Sequence, residues 1–264
     1  MQNYTPTNIF IREDKEKEPP AGAENPVQEP PASRPDEFKG EPSRKIQAWE
    51  LAAFLFLIVP SMATSFMISG SSAISFTTTA VLSILSDLGE VGLVFYFVWR
   101  NREPLSQLGW TTKKLPKEVI WGIVLFFPVV LVSNWIESIM LSLGLTAPTK
   151  LPSMLVAGGG SQVVLAFLLV VVVAIVEETV FRGYLLLRLQ TVTRRPWAAV
   201  LLSSLIFSIG HGYEGTAGVV RVFFVGVFFA VIYLWRKSLV APMVIHFMVD
   251  FSSIVMTALM AMKF

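Results

Sequence analysis

A succession of long apolar stretches runs from Ile46 to the end of the chain and constrains the fold more than any other feature of the sequence. Each stretch is close to the roughly 20 residues that an α-helix needs to cross the hydrocarbon core of a bilayer. The pattern predicts an all-α, polytopic bundle of seven transmembrane helices, or eight if the middle of the chain is divided differently. The predicted spans are 47–69, 79–99, 119–145, 160–180, 197–213, 219–235 and 239–262.

The composition agrees with an integral membrane protein. Of 264 residues, 53% are hydrophobic and only 15% are charged, whereas soluble domains carry about 25% charged residues. These values exclude a cytosolic enzyme, a nucleic-acid-binding protein and a disordered chain, and the net charge of +2 does not indicate an anionic partner. Because the chain has no Cys, disulfides, thiolate metal sites and a Cys nucleophile are excluded.

Residues 1–45 differ sharply from the remainder. They contain half of the 16 Pro residues and a mixture of acids and bases, without recurring apolar positions. This composition predicts a disordered, Pro-rich tail, which is either simply solvated or a docking arm. The predicted organisation is therefore a cytoplasmic tail at 1–45 followed by an integral-membrane domain at 46–264.

Basic residues are concentrated in alternate predicted loops. The loops at 100–118, 182–196 and 236–238 are rich in Lys and Arg, whereas the loops between them have almost none. Because basic loops stay on the cytoplasmic side of a membrane, we expect a cytoplasmic N-terminus and an external C-terminus. In a prokaryote the membrane would be the plasma membrane.

Ionisable side chains inside the spans are candidates for function, because a charge is costly in hydrocarbon. Both histidines of the chain are among them. The candidates in the C-terminal half form three local clusters: Glu177, Glu178 and Arg182; His211; and His246 and Asp250.

Helical spacing predicts which of these side chains share a face. Glu178 and Arg182 are four residues apart and can pair, either as a buried ion pair that fixes packing or as part of a site. Glu177 points about 100° away and lacks that partner. A carboxylate in such a setting is suited to accept a proton from water.

The histidines are expected to approach Glu177 from two other spans. His246 and Asp250 are also four residues apart, so the acid can orient the imidazole, or the two can make a packing hydrogen bond. Glu177 precedes the predicted turn at 194–195, and His211 follows it, by nearly the same number of residues. The two side chains should therefore lie at a similar depth in the membrane. We therefore expect Glu177, His211 and His246 to converge, although His246 needs a tilted helix or a deep preceding turn.

Two chemistries fit such a cluster. In the first, Glu177 activates water while His211 shares the proton, and the pair at 246 and 250 stabilises an oxyanion. In the second, Glu177, His211 and His246 bind a zinc ion. The sequence contains no HExxH, GxSG or GxGD motif of other intramembrane proteases.

Three motifs occur in order, EExxxR at 177–182, FxxxH at 207–211 and HxxxD at 246–250. In these motifs the sequence resembles the CPBP family of intramembrane proteases, also called ABI, which includes CAAX-prenyl endopeptidases and bacteriocin-processing relatives. The resemblance implies a helical bundle whose cavity opens to the cytoplasm and the membrane, and an endopeptidase activity.

The resemblance also implies roles for the six clustered residues. Glu177 and His211 would activate water, and His246 and Asp250 would stabilise the oxyanion. Glu178 and Arg182 would support the site. Many members carry Asn at the position of Asp250, and an ionised Asp would repel an oxyanion. We therefore expect Asp250 to orient His246.

The predicted partners follow from the membrane setting and the resemblance. They are the lipid bilayer and a peptide or protein substrate at the membrane, either prenylated or a leader peptide, with no nucleic acid. We expect no cofactor, because a zinc site would occupy both histidines. Zinc held by Glu177, His211 and His246 is the alternative.

Two other functions stay open. The chain could be a non-catalytic immunity or scaffold protein of the same fold, which keeps the polar cluster for folding. It could also be a transporter with a proton relay through Asp87, Glu90 and Glu177. Inverted repeats would favour a transporter, and none is visible. Asp87 and Glu90, which no motif covers, could instead neutralise Arg182 or Arg221, or line an aqueous cavity.

Overall fold

The computed structural model describes residues 42–68, 74–149 and 152–261. Within these ranges the chain forms helices joined by turns and contains no β-strand, which confirms the predicted all-α class. Nearly all of the tail predicted at 1–45 lies outside the described residues, and the first helix begins at Arg44.

Six helices in the described ranges are long and apolar enough to cross a membrane, and a seventh, shorter apolar helix lies among them. The short helix has 14 residues, or about 21 Å at about 1.5 Å per residue. It is therefore shorter than the roughly 30 Å hydrocarbon core. In chain order the helices are α1 (Arg44–Met67), α2 (Phe76–Arg100), α3 (Leu115–Ser142), α4 (Gly160–Thr193), α5 (Pro196–Ile209), α6 (Gly212–Arg236) and α7 (Val240–Met260).

The fourth helix is longer than the predicted span at 160–180. It continues through Glu178–Leu185, which is π-helical and buried at every position, and ends at Thr193. Arg188 is tolerated inside this helix because its guanidinium donates hydrogen bonds to Glu103 and Gln47. Single π-helical insertions occur frequently at functional sites, and this one begins at the second Glu of the EExxxR motif.

Contacts between loops divide the bundle into two ends. At one end Arg188 of α4 pairs with Glu103, which follows α2, and Arg236 at the end of α6 pairs with Glu118 at the start of α3. At the other end Thr146, after α3, accepts a backbone hydrogen bond from the first turn of α6. The base-rich loops therefore share one end of the bundle, while the side of the membrane that this end faces stays a prediction.

The turn before α7 lies deep in the bundle, beside the π-helical part of α4. Leu239 is buried there, and so is Leu108, which lies between α2 and α3. A Cβ atom on Gly183 would lie 2.9 Å from the carbonyl oxygen of Leu108. A larger residue would therefore displace Leu108 and, with it, the turn before α7, because the Leu239 N–H donates to the carbonyl of Gly109. Because α7 begins inside the bundle, His246 reaches the level of the EExxxR motif.

Candidate active site

His246 in α7 is the side chain on which the polar groups of the bundle converge. Its Nδ1 atom lies 2.9 Å from Oε1 of Glu178. Its Nε2 atom lies 3.6 Å from Oε2 of Glu177 and 3.5 Å from Oδ2 of Asp250. One ring nitrogen is therefore held by a buried acid, and the other faces two more carboxyl groups.

The two adjacent glutamates reach opposite sides of the same ring. Consecutive residues on a helix point about 100° apart, and the two nitrogens of an imidazole also face different directions. Glu177 and Glu178 can therefore both approach His246 from neighbouring positions of α4. This arrangement explains why two acids occur side by side in the motif.

Glu178 and Arg182 form a fully buried ion pair. Nη1 of Arg182 lies 2.8 Å from Oε1 of Glu178, and their side chains are 1% and 0% exposed. The guanidinium also lies over the rings of Phe207 and Phe229, 4.2 and 5.1 Å from their centroids. Cation–π contacts of this kind help to stabilise a desolvated cation. The pair thus serves the packing of the bundle and also binds His246 through Glu178.

In the described part of the chain His211 forms no ion pair with the three acids that surround His246. The Nδ1 atom of His211 is 3.2 Å from the carbonyl oxygen of Phe207. The Phe207 ring nevertheless contacts both imidazoles, with centroid distances of 4.8 Å to His211 and 6.1 Å to His246. The structure thus joins His246 directly to three acids and connects His211 to it through an aromatic ring.

Accessibility separates the acids of the cluster. The side chains of Glu177 and Asp250 remain 22% and 25% exposed, whereas Glu178 is fully buried. A water molecule or a peptide can therefore approach Glu177 and Asp250 but not Glu178. Of the two adjacent glutamates, only Glu177 has the access that a general base requires.

Two aromatic residues near the site are not among the residues predicted from the sequence. Phe229 of α6 packs on His246, with ring centroids 5.6 Å apart, and Tyr213 lies beside His211 at 5.9 Å. No local signal singles out Phe229 among the 20 Phe residues of the chain. Its position depends on how α6 packs against α4 and α7.

The clustered residues do not fit the zinc site that the sequence left open. Within 42–68, 74–149 and 152–261, no three His, Asp or Glu side chains are grouped so that they could hold one metal ion. His211 directs Nδ1 to its own helix backbone, and Phe207 contacts both histidine rings. Independence from a metal stays a prediction.

Charges elsewhere in the bundle have partners of their own. Arg221 pairs with Glu137 at 3.4 Å and with Glu214, and Arg182 pairs with Glu178. In the described part of the chain no ion pair links Asp87 to either arginine. Asp87 therefore does not neutralise them by direct contact, which was one of its predicted roles.

Comparison with known proteins identifies one family. Residues 159–252 match the family model described as Type II CAAX prenyl endopeptidase Rce1-like. The matched region extends from the start of α4 into α7 and contains all three motifs. No curated protein and no solved structure matches the chain.

Proposed function

We propose, from the premise that the matched region belongs to the CPBP (CAAX protease) family, that the chain is an intramembrane endopeptidase in which Glu177 activates water. The observation that carries this proposal is the position of Glu177. Its side chain is partly exposed, and its buried Oε2 atom lies 3.6 Å from Nε2 of His246, while Glu178 binds Nδ1 of the same ring.

In the proposed reaction a water molecule loses a proton to Glu177 and attacks the peptide carbonyl carbon. The carbonyl oxygen becomes an oxyanion, which accepts a hydrogen bond from Nε2–H of His246. The C–N bond then breaks as the proton passes from Glu177 to the leaving amine. Because Nδ1–H donates to Glu178, a proton on Nε2 makes the ring a cation, whose charge the neighbouring carboxyl groups can balance.

The other site residues have supporting roles in this proposal. Glu178 and Arg182 hold the imidazole at its Nδ1 side, and Asp250 keeps the Nε2 side in place from the next turn of α7. His211 shares the proton of the attacking water, as the family resemblance implies. Phe207, which contacts both histidine rings, sets the separation between His211 and His246.

Asp250→Asn is expected to keep hydrolysis within about tenfold of the wild-type rate. Asn has nearly the shape of Asp and can still hold the ring, and one neutral hydrogen bond contributes only about 0.5–1.5 kcal/mol. Rates should be measured with purified protein in proteoliposomes, beside Asp250→Ala as the variant that cannot hold the ring. Loss of activity in Asp250→Asn equal to that in Asp250→Ala would show that the carboxylate itself is required.

Removal of metal ions is expected to leave the activity unchanged, because the proposed water activation uses only protein carboxyl and imidazole groups. The purified protein should be dialysed against excess EDTA and assayed before and after zinc is added back. The chelator itself is controlled with a preparation to which the zinc–EDTA complex is added. Recovery that depends on zinc would contradict the proposed mechanism.

The proposed substrates are peptides or protein tails at the membrane. The description of the matched family makes a prenylated C-terminal CAAX peptide the first probe, and an unprenylated leader peptide is the second. Membrane-associated peptides from cells that express wild type and Glu177→Ala should also be compared. Peptides that mature only with wild type would identify substrates. Identical peptide sets, together with no cleavage of either probe, would favour the non-catalytic immunity or scaffold function.

A further inference from the structure

One face of α2 is apolar except at Asp87. Ala80 and Ile84, before it, pack in a cluster with residues of α4 and α7, while Val91 and Val94, after it, pack in the main core of the bundle. These five positions are three or four residues apart, so they form one stripe along the helix. Asp87 is thus a polar position in the middle of a buried apolar stripe.

The facing side of α4 has the same arrangement. Val173 packs in the cluster of Ala80 and Ile84, whereas Val176 and Val180 pack in the cluster of Val91 and Val94. Along α4 the boundary between the two clusters therefore falls between Val173 and Val176, next to Glu177. Along α2 it falls between Ile84 and Val91, on either side of Asp87, so the two carboxyl groups lie near the same level of the bundle.

Both carboxyl groups have one buried oxygen without a hydrogen-bond partner in the described part of the chain, Oδ2 of Asp87 and Oε2 of Glu177. Asp87 is also close enough to both Glu177 and His246 for their charges to interact. A buried oxygen without a partner is costly. A proton held between two such carboxyl groups removes that cost for both.

The charges around this position also favour a neutral carboxyl group. Glu90 from α2, Glu177 from α4 and His246 from α7 interact with Asp87. Glu178, Arg182 and Asp250 surround Glu177 and His246 in turn. The acids outnumber the two bases, so in a medium of low dielectric at least one of them keeps its proton. Glu177, Glu178 and Asp250 contact a base, whereas the described residues provide no ion pair for Asp87.

We propose that Asp87 is a positioning residue whose neutral carboxyl group donates its O–H to the carboxylate of Glu177 and holds that carboxylate against Nε2 of His246. This role rests on the proposed function of Glu177 as the base. It gives the buried Oε2 atom of Glu177 a donor and leaves Oε1 to accept the proton of water.

Infrared spectroscopy of the full chain in proteoliposomes tests the proton directly, without a substrate. We expect wild type to show a protonated-carboxyl C=O band that is lost in Asp87→Asn. Glu90→Gln, the matched control one turn along the helix, should keep the band. In Glu177→Gln the band should persist at a changed frequency, because its hydrogen-bond acceptor has changed. A band that persists in Asp87→Asn would overturn the proposal, and this result does not depend on whether the protein is a protease.

Kinetics with the prenylated probe peptide test the positioning role. Asp87→Asn should keep kcat within about tenfold, because its amide N–H also donates, whereas Asp87→Ala should lower kcat about 10- to 100-fold with KM unchanged. Thermal unfolding of both variants checks that they fold. Wild-type kcat in Asp87→Ala, or a loss in Asp87→Asn as large as in Asp87→Ala, would overturn the assignment. If Asp87→Ala fails to fold, the infrared comparison and the kcat of Asp87→Asn decide whether Asp87 positions Glu177.

Discussion

Replacement of Glu177 by Gln should reduce peptide hydrolysis by about 10²–10⁴-fold while the chain still folds. The amide has the shape of the acid but cannot accept the proton of the attacking water. Because Glu177 is 22% exposed and its contact with His246 is long, at 3.6 Å, the substitution leaves the closer contacts of Glu178 with His246 and Arg182 unchanged. The loss should therefore fall on kcat, with thermal stability in detergent close to that of wild type.

The chain provides a matched control for this experiment. Glu137 is also a glutamate within a membrane-spanning helix, is 27% exposed, and pairs with Arg221 rather than with His246. Glu137→Gln removes the same charge at a similar exposure, and its rate should stay near that of wild type. Equal rates for wild type and Glu177→Gln would refute water activation by Glu177. Equal losses in both glutamate variants would indicate a general effect of removing a charge from the bundle.

Arg182→Met should destabilise the protein by about 3–5 kcal/mol, which is the usual cost of leaving one partner of a buried ion pair uncompensated. Met has a similar length but takes the guanidinium away from the fully buried Glu178, which keeps its contact with His246. The packing of the guanidinium over Phe207 and Phe229 is lost as well. Denaturant unfolding in detergent micelles, followed by Trp fluorescence, measures the change.

Arg100→Met is the control for Arg182→Met, because Arg100 is 51% exposed and lies 3.6 Å from Glu50. Glu50 is 4% exposed but keeps the hydrogen bonds that Asn101 donates to it when Arg100 is replaced. Ion pairs of exposed cations contribute about 0–1 kcal/mol, so the control should unfold nearly as wild type does. A destabilisation of Arg182→Met no larger than that of the control would contradict the structural importance of the buried pair. Activity of the folded fraction should also fall, since Glu178 holds His246.

Much of the fold follows from local features of the chain. The apolar stretches predict the helices, because burial of backbone polar groups in hydrocarbon requires each spanning segment to satisfy its own hydrogen bonds. The fifth predicted span is the exception, since its helix at Pro196–Ile209 is shorter than the apolar stretch suggests. The fourth helix extends past its predicted end, because Arg188 finds partners in Glu103 and Gln47 that are distant in sequence.

The site was predictable to the extent that it depends on helical spacing. The pairs Glu178 with Arg182 and His246 with Asp250 follow from a separation of four residues. The hydrogen bond between Glu178 and His246 joins residues 68 positions apart, and no local rule predicts it. The same holds for the position of Phe229 over Arg182.

The sequence by itself determined which segments are membrane helices and which ionisable side chains they carry, because hydropathy and helical periodicity are properties of neighbouring residues. Only the tertiary structure decided which acid binds which nitrogen of His246, that His211 is connected to His246 through Phe207, and that Asp87 faces the level of Glu177. These relations depend on the rotation of each helix about its axis and on the depth of the turn at Leu239. Both are set by packing between helices that are far apart in the chain, on which hydropathy carries no information.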